Sequence, residues 1–473
     1  MNIKEFNQLE LQELSEAFDS HISALIEKDD EKDQSIDEWI EQYELDHEIL
    51  ERPDKLIGSG NSKKKVEVAK LVIPFQKKIV NSATAFLFGR PVKIIKSNPE
   101  KEYDDPYDTF TNLWKNLKLD YHNRKLARRL FIETRVAELF YIRIVGEDEA
   151  ADDPSKKAEK KIGVKLLSRS EGDEIYPVWD DYGDMVAFIR KYEYKSGDET
   201  YEKVEIYTDK FNYFCTKDGE WNVKKVANPY GKIPVVWYEQ ERPEWYNVQT
   251  LIDRIEMLLS KNSDANDYFG SPAIVTKGKL KSAPDKGEVG KFFEIEPTVS
   301  EGSIEFGDIS YLTWDMAPEA IKLEYEILKD LIYSQTSTPD LSFNNVKGIG
   351  AISGVAMRFM FWDSILKAND KQEIFGEGLL RRCNILKRML SVYDVKNNSA
   401  IDKLDLSIEF TENLPQNTGE LIDMLIAATG GNSIMSRESA VKMNPFVASH
   451  EDEMELIKQE DEQINKMPES YGI

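Results

Sequence analysis

The stretch whose reading decides the fold is TSTPDLSFNNVKGIGAISGVAMRFMFWDSILKANDKQEIFGEGLLRRCNILKRMLSVY, residues 336–393. It opens as a polar loop in which Pro339, Gly348, Gly350 and Gly354 oppose regular structure. After Gly354 the apolar residues recur at helical spacing: Val355, Phe359, Trp362, Ile365 and Leu366, then Ile374, Phe375, Leu379, Cys383, Leu386, Met389 and Leu390. Ser353 stands where an N-cap is expected. A single helix of about forty residues would measure roughly 60 Å at 1.5 Å per residue. That is too long for a surface helix of one compact domain, so the pattern predicts a spine to which other parts attach.

The glycines at 348, 350 and 354 imitate a dinucleotide-binding loop, but that motif needs a buried strand before them and G-x-G-x-x-G spacing. Here SFNNVK precedes them, and the spacing is one residue longer. The stretch reads as a flexible loop instead.

Working outward, residues 318–335 predict a helix started by Pro318. Ile321, Tyr325, Leu328 and Ile332 form one apolar stripe and Leu323, Ile327 and Leu331 a second, separated by charges. Such a helix can pack against neighbours on two sides, either buried inside one subunit or in a ring of helices each touching two others; in the ring the first stripe makes the subunit contact. A helix over 245–269 carries Val248, Leu251, Ile252, Ile255, Leu258 and Leu259 on one face. Between these helices, residues 270–316 predict short strands and turns. Lys277, Lys279 and Lys281 alternate there at strand spacing and so share one face.

Upstream, 139–226 changes period to two, in seven strand-length runs separated by Gly-Asp, Asp-Asp-Tyr-Gly and Lys-Asp-Gly turn signals. This predicts an antiparallel sheet inserted into a helical protein. Residues 66–88 predict a helix kinked at Pro74, and 110–135 a second helical region. Residues 1–52 predict two helices around a solvated, charged break. A strand is expected near 405–411, followed by short acidic helices. Asn417 and Ser449 are placed to open capping boxes, and Ser436 is placed as an N-cap.

Composition narrows the function. The net charge is −25 over 473 residues. It is uneven, with 18 acids and 5 bases in 1–55 and 14 acids and 4 bases in 405–473. A protein that grips DNA by its phosphates is usually basic. If this chain meets nucleic acid, it should do so locally or without holding it. The two cysteines, Cys215 and Cys383, read as buried small hydrophobes, which fits a reducing setting. Four scattered histidines show no metal-ligand spacing. No apolar run reaches membrane-span length. There is no phosphate loop and no nuclease carboxylate cluster, so no catalytic residue, metal or cofactor is assigned.

The order of these parts resembles the portal (head-to-tail connector) proteins of long-tailed double-stranded DNA phages, from about residue 52 onward. IPFQKKIVNSATAFLFGRPVKI (73–94), ELFYIRIV (138–145) and IYPVWDDYGDMVAFIRKYEY (175–194) carry the resemblance in the first half. NPYGKIPVVWYEQ (228–240), the helix after it, TSTPDLSFNNVKGIGAISGVAMRF (336–359) and the segments 410–425 and 430–460 carry it in the second. The resemblance implies an α+β fold with a long spine helix, stem helices, an antiparallel-sheet wing, a small α/β clip and a helical crown. It implies an acidic helical extension at 1–55, wing at 56–244, stem helices at 245–269 and 317–335 and clip at 270–316. A tunnel loop then falls at 336–352, spine and returning wing strand at 353–415, and crown at 416–473.

By the same resemblance the protein forms a dodecameric ring at one capsid vertex, reached from the host cytoplasm during assembly and kept in the virion. Double-stranded DNA passes through it non-specifically during packaging and ejection. The large terminase subunit and later a head-completion or adaptor protein dock on it, and capsid and scaffold proteins surround it. Asn344, Asn345, Val346, Lys347, Gly348, Ile349 and Gly350 would form the collar around DNA. Lys277, Lys279 and Lys281 would meet a docking partner or DNA at the clip. The competing readings are a non-portal capsid-assembly scaffold and a DNA-processing nuclease or motor subunit.

Overall fold

The computed structural model describes residues 2–26, 30–57, 63–145, 159–197, 199–269, 273–277, 279–282, 294–296, 298–300, 303–305, 308–312, 318–340, 354–393, 398–413, 418–430, 433–447 and 449–466. The N-terminal part holds four helices rather than two: α1 (Ile3–Phe6), α2 (Leu11–Glu16), α3 (Phe18–Ser23) and α4 (Asp30–Tyr43). Asn2 and Glu5 cap α1 reciprocally. α4 begins at Asp30, inside the charged break expected over 27–37, and residues 27–29 lie outside the described residues.

A hairpin, β1 (Lys55–Ile57) with β2 (Lys64–Val66), leads to α5 (Phe75–Phe88). Pro74 caps the start of α5 instead of kinking a longer helix. A residue with no N–H fits where the helix has no use for one. After β3 (Lys93–Lys96), the single helical region expected from 110 to 135 divides into α6 (Asp104–Asn116) and α7 (Leu119–Glu133). Lys118 takes a left-handed φ of 54° at the joint.

Strands β4 (Arg135–Val145) to β10 (Glu220–Ala227) realise the inserted sheet, with β5 (Glu159–Leu167), β6 (Asp173–Trp179), β7 (Met185–Ser196), β8 (Glu199–Thr208) and β9 (Phe211–Asp218) between them. Five strands run in the antiparallel order β10-β9-β8-β7-β6. β4 stands between β5 and β11 (Val235–Glu239) in a second, three-stranded antiparallel sheet. Gly183 and Gly219 turn with φ of 83° and 71°, the left-handed region their turn signals call for. The period of two is visible along β7: Ala187 and Ile189 enter the core under α1–α3, while Phe188 between them enters the core shared with β4 and β11.

Helix α8 (Gln249–Phe269) precedes three short two-stranded pairings among the described residues: β12 (Ala273–Lys277) with β17 (Asp308–Leu312), β13 (Lys279–Ser282) with β14 (Glu294–Glu296), and β15 (Thr298–Ser300) with β16 (Ser303–Glu305). Then come α9 (Pro318–Gln335), α10 (Gly354–Met360) and α11 (Trp362–Tyr393). The spine is therefore interrupted. Phe361 turns inward against Phe86, ring centroids 5.7 Å apart, while Phe359 and Trp362 on either side stay exposed. The uninterrupted part, α11, has 32 residues, roughly 48 Å of helix.

The main core gathers around α11. Phe375, Leu379, Cys383 and Leu386 meet Leu130 and Phe131 of α7, Tyr238 of β11 and Ile252 of α8. After α12 (Asn398–Lys403), β18 (Leu406–Glu409) returns to pair with β3. Three helices close the chain: α13 (Thr418–Thr429), α14 (Arg437–Met443) and α15 (His450–Lys466). Ser436 caps α14 by accepting from the Ser439 N–H, and the Asp452 N–H donates to Ser449 Oγ at 3.3 Å. Asn417 and Ser353 lie outside the described residues. Among the described residues, no helix is long and apolar enough to cross a membrane, and no group of three metal-ligating side chains occurs.

Candidate functional site

The segment assigned as the collar around DNA, Asn344, Asn345, Val346, Lys347, Gly348, Ile349 and Gly350, lies outside the described residues. Its root does not. α9 ends at Gln335, and the chain leaves through Thr336, Ser337 and Thr338 toward Asp340. Ser337 has a left-handed φ of 53°. A non-glycine residue holds such an angle only where its surroundings dictate it. They do so here: the Ser364 hydroxyl of α11 donates to the Ser337 carbonyl at 2.7 Å, and Lys367 Nζ donates to the Thr336 carbonyl at 2.9 Å. The Thr336 hydroxyl donates back to Ile332, and Lys329 pairs with Asp340 at 3.0 Å.

Beneath the root lies a carboxylate, Glu244, with its side chain 4% exposed. It sits on the elbow between β11 and α8, where its N–H donates to the Phe131 carbonyl. Glu244 meets Lys367 at 2.5 Å and Lys371 at 2.8 Å; these lysines lie one turn apart on α11. Burial pushes the Glu244 carboxyl up, but the two ammonium groups outweigh it and hold it below the ordinary carboxylate range. Three parts of the chain thus meet at one buried ionic cluster: the elbow into α8, the exit from α9, and the long helix α11. A cleft lined by Arg242, Tyr246, Gln335, Asp363, Asp370 and Lys371 opens beside it.

A second buried cluster binds α11 to β4. Arg382 of α11 and Glu138 of β4 are both fully buried and form a two-pronged ion pair, and Tyr238 donates its hydroxyl to Glu138 at 2.9 Å. Arg382 also donates to Asn123 at 2.6 Å and lies 5.3 Å over the Trp114 ring. Burial alone would raise the Glu138 carboxyl. Arg382 and His122 reverse this and bring it down to about 2.

The stem residues divide differently from the expectation. Ile332 is fully buried in the core of its own chain, and Tyr325 and Leu328 pack against that core. Tyr325, Leu328 and Ile332 of the first stripe therefore face the body of the same subunit, where Arg254 of α8 also pairs with Glu324, and Ile321 is half-buried. The stripe left open is the second: Leu323 is 57%, Ile327 50% and Leu331 40% exposed.

The three lysines also separate. Lys277 ends β12, opposite Asp308, whereas Lys279 lies on β13, opposite Glu296, and Lys281 falls where the β13 register shifts between Leu280 and Ser282. Spacing by two residues places side chains on one face only within one regular strand. Two different pairings and an irregular register remove that guarantee.

Sequence reasoning missed Glu244, Lys367, Lys371, Glu138 and Arg382. Nothing local marks them, apart from the i, i+4 spacing of the two lysines.

An antiparallel sheet, two helices with a strand-rich insert between them and the long helix α11 make up the α+β fold expected of the portal class. The chain belongs to the phage portal protein family described as SPP1 Gp6-like, whose model it matches over residues 22–467. The portal protein of Bacillus phage SPP1 is 26% identical over 306 residues, covering 60% of this chain and 59% of that protein. The chain thus spans less than two thirds of that relative's length. Two solved structures are similar in outline. One is the neck of an empty gene transfer agent (GTA) particle, with TM-score 0.38 and 10% identity over 80% of this chain and 91% of that one. The other is the virion of a native GTA particle, with TM-score 0.35 and 11% identity over 79% and 89%.

Proposed function

We propose that the protein assembles as a closed ring at one vertex of a phage capsid, where it is the channel for packaging and ejecting double-stranded DNA. Its role is structural rather than catalytic. Membership of the portal family over residues 22–467 carries this reading. The open stripe of α9 supports it: three large apolar side chains in a row on a stem helix suit a contact with the next copy of the chain. The insert 270–316 is the proposed docking region for the large terminase subunit and, later, for an adaptor protein. Acidic composition suits a channel that must pass DNA without gripping it, because like charges repel within the roughly 8–10 Å screening length.

The test uses two substitutions on α9. Ile327→Asp, on the open stripe, should leave the chain folded and abolish rings in native mass measurement and negative-stain images. Ile332→Asp, in the core, should unfold the chain by leaving a charge buried without a partner. Rings that survive Ile327→Asp would remove α9 from the interface. Shell lattices or monomers of the unaltered protein would favour a scaffold over a portal.

A further inference from the structure

The geometry points to Lys367 as a positioning residue that fixes the course of the chain where it leaves helix α9, at Thr336–Thr338, with Glu244 holding Lys367 in place. This deepens the portal reading and rests on it only for its consequence in DNA passage.

The argument begins with what each group of the cluster touches. Lys367 Nζ has two partners, the Glu244 carboxylate at 2.5 Å and the Thr336 carbonyl at 2.9 Å. Lys371 Nζ shares the same carboxylate at 2.8 Å, but its other partner is Gln240 Oε1 at 3.0 Å, on the elbow. The two lysines are matched in charge, helix and exposure, at 18% and 17%. They differ in what else they touch: only Lys367 reaches the root of the loop, whereas Lys371 reaches Gln240 and lies 5.7 Å from the centre of the Phe131 ring. The Lys367 contact falls on the carbonyl just before Ser337, whose left-handed backbone makes the chain turn there. Ser364, one helical turn earlier on α11, holds the following carbonyl, that of Ser337. Consecutive carbonyls of the exit are thus hung on consecutive turns of the spine.

Glu244 acts one step further away. Without it two ammonium groups would stand close together with no counter-charge, and Lys367 would be driven out toward water. Because the Glu244 N–H is tied to Phe131 of α7, the carboxylate is fixed to the body of the subunit. The exit of α9 is referenced to that body through Lys367.

The experiment compares Lys367→Met with Lys371→Met in the full-length assembled protein. Each leaves Glu244 with one lysine, and each keeps the length of the aliphatic stem. Hydrogen exchange is read at the amides of Ser337 and Thr338, which donate to Ser334 and Tyr333. Lys367→Met should speed their exchange about tenfold, Lys371→Met should leave it at the wild-type rate, and Lys367→Arg should restore protection. A purely structural role of the cluster would move both Met variants alike, so equal exchange overturns the assignment. In a portal-deficient phage complemented with each chain, Lys367→Met should also lower DNA packaged per head several-fold. Faster exchange with undiminished packaging would overturn the role in DNA passage. If the unaltered chain fails to restore packaging, the portal reading falls, and exchange alone decides the role of Lys367.

Discussion

Two glycines of the spine, two residues apart, should respond to alanine with opposite signs. At Gly378 an added Cβ would stand 2.1 Å from Cε1, 2.5 Å from Cζ and 2.8 Å from the hydroxyl of Tyr238. That ring cannot move aside cheaply. It is almost wholly buried, tilts against Phe375 at 5.6 Å, and donates its hydroxyl to the fully buried Glu138. Overpacking costs about 1–3 kcal/mol, and pulling the hydroxyl from its acceptor adds about 1–3 kcal/mol. The gain in helix propensity returns only about 1 kcal/mol. Gly378→Ala should therefore destabilise by about 1–5 kcal/mol. At Gly376 the nearest atom to an added Cβ is Phe410 Cε2 at 3.9 Å, ordinary contact. Only the propensity gain remains there, so Gly376→Ala should stabilise by up to about 1 kcal/mol. Urea unfolding of each variant, followed by tryptophan fluorescence, reads both signs. A Gly378→Ala variant as stable as the parent would refute the reasoning, because it would mean that the spine and β11 are not held as close as described.

Acid should weaken the spine–wing joint. The Glu138 carboxyl lies at about 2 in the folded chain against an ordinary 4.5, so its contribution is present above 4.5 and fades as pH falls toward 2. That difference makes the pH-dependent contribution of the ionised Glu138 carboxylate on the order of 3 kcal/mol. Arg382→Met should remove this acid dependence from a plot of melting temperature against pH. His47 should act at the other end of the scale: Nδ1 faces Glu256 and Nε2 faces the Gln42 carbonyl, each at 2.7 Å. Burial lowers its pKa, but Glu256, Gln42 and Asp253 together raise it above 6.5. Its stabilisation is then complete below 6.5 and is lost as pH rises through the raised value; His47→Gln should flatten that alkaline slope in the same plot. Replacing Lys277, Lys279 and Lys281 with alanine should weaken terminase capture in a pull-down, and undiminished capture would leave them as guards of strand edges. Gly348→Pro with Gly350→Pro should leave rings intact but lower DNA retained per head, whereas normal retention would show that these residues form no collar.

Much of the fold was legible because local chemistry and tertiary demand agree in it. Pro318 starts α9 where a helix needs no N–H, and the turn glycines bound the strands of the wing. Ser436 caps its helix as its position suggests. The misreadings occurred where a local pattern admits two outcomes. Proline inside an apolar run can kink a helix or begin one, and at Pro74 it begins one. A helix with two apolar stripes does not say which stripe faces home; only the neighbouring α8 decides that for Ile332 and Leu331. The ionic clusters were illegible for a different reason. Arg382 and Glu138 are separated by 244 residues, and no spacing rule reaches that far.

The pairing of β3 with β18 has a consequence in time. Lys93 and Glu409 meet across that pair, 316 residues apart in the chain. At synthesis rates of about 5–20 residues per second, the ribosome needs roughly 16–60 s to make the second strand after the first. Throughout that interval β3 waits with an open edge, and its sequence, Lys-Ile-Ile-Lys, places a lysine at each end of an apolar pair. Charged ends on a short strand discourage pairing with strangers. The two lysines thus guard the nascent chain before Lys93 finds Glu409 in the finished one.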